Sequence, residues 1–62
     1  MISRETIETF AKTTVDALAR RGVRRDDWKD SPDAIKAAHR EAVTEAFKTI
    51  GVKVEGDGEV KF

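Results

Sequence analysis

The sequence predicts a mainly α-helical protein, an antiparallel hairpin of two helices followed by a short C-terminal β-ribbon or extended tail. Three observations predict it. Two segments repeat apolar residues with the period of about 3.6 that marks one face of an α-helix. Each segment ends in a Gly-Val pair, which is typical of a helix C-terminus. After the second pair, apolar residues alternate with a period of two, as in a strand. We treat residues 1–62 as one small domain.

The first helix is expected over residues 3–21. Ser3 is its predicted N-cap, because a serine hydroxyl accepts a hydrogen bond from a free N–H of the first turn. Gly22 and Val23 match a helix end in which a glycine takes a left-handed conformation. Acidic and basic residues alternate every four positions from Glu8 to Arg20, which stabilises an exposed helix face. The apolar stripe of this helix comprises Ile7, Phe10, Ala11, Thr14, Val15 and Leu18.

The second helix is expected over residues 32–50, after a connector of residues 22–31. Ser31 is its predicted N-cap, and Pro32 is its first helical residue, where the missing N–H has no cost. Its alanines favour close approach of another helix. The apolar stripe comprises Ile35, Ala38, His39, Ala42, Val43, Ala46 and Ile50, with Phe47 at its edge.

Residues 52–62 are expected to form the tail or β-ribbon. Val52, Val54, Val60 and Phe62 share one face if the Gly56-Asp57-Gly58 segment is the turn of a hairpin. That register sets like charges opposite each other, which is mildly unfavourable. Pairing within one chain and pairing between two chains therefore both remain open.

The small size of the chain predicts a homodimer. Folding removes roughly 6,000 Å² of surface, and its apolar part supplies roughly 90 kcal/mol at ~25 cal/mol per Å². Ordering the chain at about 1.5 kcal/mol per residue costs roughly the same. No cysteine is present to form a disulfide. We therefore expect two hairpins to associate into a four-helix arrangement, with an interface formed by Ile35, Ala38, His39, Ala42 and Ala46.

Composition argues against several classes of protein. Twelve basic and twelve acidic residues give a net charge of zero, whereas nucleic-acid-binding proteins normally carry a basic excess. No cysteine and one histidine disfavour a metal centre, and we expect no cofactor. No apolar run is long enough to span a membrane, and the N-terminus does not resemble a signal peptide. A cytoplasmic location is therefore expected, and the alanine-, arginine- and aspartate-rich usage is compatible with a bacterial or phage origin.

Three features are candidates for function. His39 could act as a general base, but its nearest acids project away from it, so we interpret it as a packed interface residue and expect no catalytic residue. Trp28 is either a lid over the core or an anchor for a partner, since tryptophan is common in interface hot spots. In the Arg20–Arg25 cluster, the first two arginines complement the C-terminus of the first helix, and the acids that follow complement the N-terminus of the second. The cluster could also contact an acidic surface or phosphates.

The predicted function is a small non-enzymatic interaction module, an adaptor, regulator or inhibitor that binds a protein partner. Trp28, Arg24 and Arg25 are its predicted contacts, and Val60 and Phe62 form a second surface for strand addition. The alternative is a small nucleic-acid-binding regulator that uses the Arg20–Arg25 cluster of both subunits of a dimer.

Overall fold

A computed structural model of the protein describes residues 1–55. It contains two α-helices, α1 (Arg4–Arg20) and α2 (Asp33–Thr49), which pack against each other. Phe10, early in α1, contacts Phe47, late in α2, so the helices form the hairpin that the sequence predicts. The described residues contain no sheet. Val60 and Phe62, and with them the second half of the expected ribbon, lie outside the described residues.

The start of α1 confirms the predicted N-cap. The Ser3 hydroxyl accepts a hydrogen bond of 3.1 Å from the backbone N–H of Thr6. Glu5 lies in the first turn, where the helix dipole favours a negative charge. The buried face of α1 consists of Ile7, Ala11 and Val15, which are the centre of the predicted apolar stripe.

Both helices end in the glycine motif that the sequence predicts. The Val23 N–H donates to the carbonyl of Leu18, and Gly22 takes a φ of 80°. At the end of α2, the Val52 N–H donates to the carbonyl of Phe47, and Gly51 takes a φ of 89°. The Gly22 N–H donates to the carbonyl of Ala19, and the Gly51 N–H to that of Lys48, which completes two Schellman motifs in which the chain changes direction.

The start of α2 differs from the prediction. Pro32 occupies the N-cap position in an extended conformation, and no side chain caps this helix. Ser31 is buried, and its hydroxyl donates to the carbonyl of Asp27 at 2.7 Å. The predicted Ser31 cap was therefore wrong, because this hydroxyl bonds backward into the connector instead of forward into the helix.

The connector packs its tryptophan into the core of the hairpin. Residues 28–30 form a turn, and the Ser31 N–H donates to the carbonyl of Trp28. The indole is 7% exposed and packs with Ala11 and Val15 of α1. Val43 of α2 is partly buried against the same cluster. Trp28 thus packs against the small side chains Ala11 and Val15 of α1, on the side that faces α2.

The segment after α2 pairs with the start of the chain, which the sequence analysis missed. The Ile2 N–H donates to the carbonyl of Lys53 at 2.8 Å, and the Glu55 N–H donates to the carbonyl of Ile2 at 2.7 Å. These bonds form an isolated parallel bridge between Ile2 and Val54. The reversal at Gly51 explains the parallel direction, because the chain leaves the end of α2 alongside the segment that enters α1.

Burial is distributed unevenly between the helices. Within residues 1–55, the buried apolar residues are Ile7, Ala11, Val15, Trp28 and Val54. All 17 residues of α2 remain at least partly exposed. Neither described helix combines the length and the apolar character needed to cross a membrane.

Candidate functional site

Trp28 is held in place by α1 and covered by cations from α2. Its backbone N–H donates to the Asp16 Oδ1 at 2.8 Å. The Arg40 guanidinium carbon lies 5.4 Å from the centre of the indole ring, and the Lys36 Nζ lies 5.7 Å from it. Both distances are in the range of cation–π contacts. Of the two interpretations that the sequence left open, the structure therefore favours the lid, because the indole has little surface left for a partner.

Asp16 connects the Trp28 backbone to α1. The Trp28 backbone N–H and then the Lys12 ammonium, whose Nζ lies 3.1 Å from Asp16 Oδ2, hold the pKa of the Asp16 carboxyl below its ordinary value. Glu8, expected to pair along α1, instead accepts a hydrogen bond of 3.2 Å from Arg40 Nε of α2. One contact of the predicted ladder is therefore confirmed, and another residue of it bridges the two helices.

The two arginines predicted to bind a partner have different surroundings. The Arg24 side chain turns toward the connector, where its Nη2 donates to the Ser31 hydroxyl at 3.4 Å. Its Nε is buried and has no hydrogen-bond partner. Arg25 is exposed, as are Arg20 and Arg21. Arg24 is thus partly engaged in holding the connector, while the other three arginines remain at the surface.

The residues predicted to form a dimer interface share one side of α2. Ala38, Ala42 and Ala46 are exposed, and Ile35 and His39 are half-buried. The part of α2 that meets Trp28 and α1 consists instead of Lys36, Arg40, Val43 and Phe47. The predicted stripe is therefore divided, because only its Val43–Phe47 edge is turned inward and the alanines remain open to solvent.

The hairpin has two different sides. Trp28, the Glu8–Arg40 pair and the Ile2–Val54 bridge cover one side. Residues two positions apart on a helix point about 200° away from each other, so Ala42 and Ala46 point away from Arg40 and Thr44. The Phe10 ring, 49% exposed, meets the Phe47 ring edge-to-face, with centroids 5.2 Å apart. On the second side, exposed residues predominate, and the half-buried ones are Ala17, Ile35 and His39.

We call this second side the neutral face. It consists of Phe10, Thr13, Thr14, Ala17, Ile35, Ala38, His39, Ala42, Ala46 and Ile50. Among these residues of the described chain there is no Asp, Glu, Lys or Arg. Charged residues are 39% of the sequence, and the exposed Glu45, seven residues after Ala38, borders this uncharged face. Ile50, at its end, is 71% exposed.

A shallow groove opens on the other side, next to the bridge between the chain ends. It has a volume of about 330 Å³ and is lined by Arg4, Ile7, Glu8, Arg40, Thr44, Val54 and Glu55. The Glu55 carboxylate accepts a hydrogen bond from the Arg4 N–H and so caps α1 from a distant part of the chain. Within residues 1–55, no group of three or more His, Asp or Glu side chains converges as a metal site would require.

Sequence reasoning missed the contacts that join distant segments. Phe10 and Phe47 lie on or beside the predicted apolar stripes. The sequence of either helix alone does not indicate that their two rings contact each other. The cations over Trp28 lie on α2, where periodicity indicated only solvent-facing residues. Each helix has one side without charged residues, and this feature is visible in the sequence. Only the structure shows that the two uncharged sides lie next to each other.

Comparison of the chain with models of protein families, with curated proteins and with solved structures finds no match.

Proposed function

We propose that the protein is a non-enzymatic interaction module, and that its neutral face docks onto the apolar surface of another polypeptide. A cytoplasmic location belongs to the same proposal. The observation that carries it is the absence of charge across the exposed neutral face, in a sequence where charged residues are otherwise frequent. Depletion of charge is the compositional mark of the centre of a protein interface.

The shape of the neutral face supports this function. Phe10 projects from α1, while Ala42 and Ala46 give α2 a low surface beside it. An exposed aromatic ring next to small residues offers a partner both a ridge and a shallow groove. Bulky aromatic side chains supply much of the binding energy at such surfaces.

The structure also changes which residues we propose as contacts. Trp28 is buried, and the half-buried Arg24 is hydrogen-bonded within the connector, so both leave less surface for a partner than the sequence predicted. Arg25 remains available at the edge of the molecule. The neutral face takes the place of Trp28 as the centre of the proposed docking surface.

The test compares two lysine substitutions on α2. Ala46→Lys places a charge on the neutral face, and Ala37→Lys places the same charge on the opposite, exposed side of the helix. Each variant and the unsubstituted chain are immobilised and exposed to a lysate of the native host, which also contains untagged copies of the chain. We expect at least one polypeptide to bind the unsubstituted chain and Ala37→Lys but to be lost from Ala46→Lys. Equal retention by all three chains would refute the proposal.

A further inference from the structure

We infer that the polypeptide that covers the neutral face is a second copy of this chain. In this dimer, α1 of each copy lies across α2 of the other. The inference rests on the proposed function, because it names the partner of the same surface.

The available area matches what a small specific dimer needs. Each 17-residue helix is about 25 Å long at about 1.5 Å per residue. Two adjacent helices, each about 10 Å wide, present roughly 500 Å² of one face. Two copies that meet through this face bury about 1,000 Å² in total, which is the lower bound for a specific interface.

Shape and charge both permit the face to pair with itself. In a two-fold symmetric contact, the same patch is used by both copies, so its large and small residues must be complementary. When α1 of one copy lies over α2 of the other, the Phe10 ring falls near Ala46, since Phe10 and Phe47 are at the same level of the hairpin. The chain has a net charge of zero, and the neutral face has no like charges to bring together.

The low apolar burial of the hairpin favours a partner that is present whenever the chain is present. The described core contains only Ile7, Ala11, Val15, Trp28 and Val54 as buried apolar residues. All of α2 remains at least partly exposed, so the hairpin has little apolar burial to offset the entropy lost on folding. A second copy is present wherever the chain is made, so self-association can cover this helix without any other protein.

Sedimentation equilibrium of the purified protein tests the inference. We expect a mass of about 14 kDa at high micromolar concentration, twice the 6.9 kDa of the chain. Ala37→Lys should keep this mass, and Ala46→Lys should weaken association at least about tenfold, because a charge must lose its hydration at the interface. A mass of 7 kDa for the unsubstituted chain, or an unchanged dimer in Ala46→Lys, would overturn the inference.

A second measurement decides the matter if Ala46→Lys does not fold. The chain contains no cysteine, so single cysteines can be introduced without competing thiols. We expect Thr14→Cys and Ala42→Cys chains, mixed and oxidised, to form a disulfide-linked pair, and Thr14→Cys with Ala37→Cys to form none. Absence of the first pair, or equal yields of both, would contradict the proposed dimer.

The two proposals fail in different ways. A monomeric chain whose Ala46→Lys variant loses a different protein from the lysate would refute the second copy and leave the docking function intact. A monomeric chain whose variant retains every bound protein would refute both.

Discussion

Trp28 determines whether the hairpin has a core at all. Its indole contacts α1 and is covered by two cations of α2, so a single side chain joins both helices to the connector. Because it is the largest of the few buried side chains, its removal leaves a cavity that the small neighbours Ala11 and Val15 cannot fill.

We expect Trp28→Ala to reduce the free energy of unfolding by about 3–5 kcal/mol, enough to unfold a domain of this size. Trp28→Phe keeps a ring in the same space and should lose less. Urea denaturation followed by circular dichroism measures both effects. A Trp28→Ala chain with unchanged helicity and an unchanged midpoint would show that the indole is not a core residue.

The Asp16 carboxylate predicts how the protein responds to acid. Its pKa is lowered in the folded state by the Trp28 N–H and then by Lys12. A carboxyl group with a lowered pKa stabilises the fold above its unfolded pKa of about 3.9, and this contribution is lost as the pH falls through the folded value. Unfolding should therefore become easier below about pH 4, in part through this residue.

Asp16→Asn should flatten this acid dependence, because the amide oxygen still accepts the Trp28 N–H but carries no charge. Lys12→Met is the matched control, since it removes the Lys12 ammonium and leaves the hydrogen bond from the Trp28 N–H in place. Thermal unfolding midpoints measured between pH 7 and pH 2 compare the three chains. The interpretation is wrong if the Asn variant loses stability in acid as steeply as the unsubstituted chain.

At the scale of elements, the ends of the helices are set by local chemistry. Gly22 and Gly51 both adopt positive φ, and no atom lies within 4 Å of the place where a Cβ would be. A methyl group would therefore meet no steric obstacle, and the cost of substitution comes from the backbone conformation alone.

We expect Gly22→Ala and Gly51→Ala each to lower the free energy of unfolding by about 1–2 kcal/mol, the cost of a left-handed conformation in an L-residue. Asn tolerates this conformation better than Ala, so Gly22→Asn should be less destabilising. Chemical denaturation of the four chains measures the difference. An alanine variant as stable as the unsubstituted chain would contradict the role of the positive φ.

The sequence predicts the features that depend on local contacts better than those that depend on contacts between distant segments. The expected helices, 3–21 and 32–50, each extend only one residue at either end beyond Arg4–Arg20 and Asp33–Thr49. Caps and periodicity depend on neighbours within one turn, and these are visible in the sequence. Ser31 shows where such reasoning fails. Its hydroxyl could accept a hydrogen bond from an N–H at the start of α2 or donate one to a carbonyl of the connector. In the folded protein it donates to the carbonyl of Asp27.

Contacts between distant segments could not be predicted in the same way. The Ile2–Val54 bridge joins two segments separated by the whole hairpin, and its partners emerge only when Gly51 reverses the chain. The extent of the open side of α2 was also beyond what the sequence could show. The apolar stripe of α2 is wider than the part that α1 and Trp28 cover. Periodicity shows which residues share a face, but it does not show how many of them a packed helix will bury.

At the scale of the whole molecule, the hairpin is asymmetric. One side carries the connector, the bridge between the chain ends and the Glu8–Arg40 pair, while the neutral face carries exposed Phe10 and Ile50. In the proposed dimer, the uncovered side of each helix pair would form half of a shared core. Folding and association should therefore be coupled in one equilibrium.

This coupling predicts that thermal stability depends on concentration. If two unfolded chains form one folded dimer, a hundredfold increase in concentration stabilises the dimer by about 2.7 kcal/mol. For a dimer of this size, that should raise the melting temperature by about 5–10 °C. Circular dichroism melts from low micromolar to high micromolar concentration measure the shift, with Ala37→Lys as the control that should match the unsubstituted chain. A melting temperature that is independent of concentration would mean that each hairpin is stable alone, because only unfolding that separates chains responds to mass action.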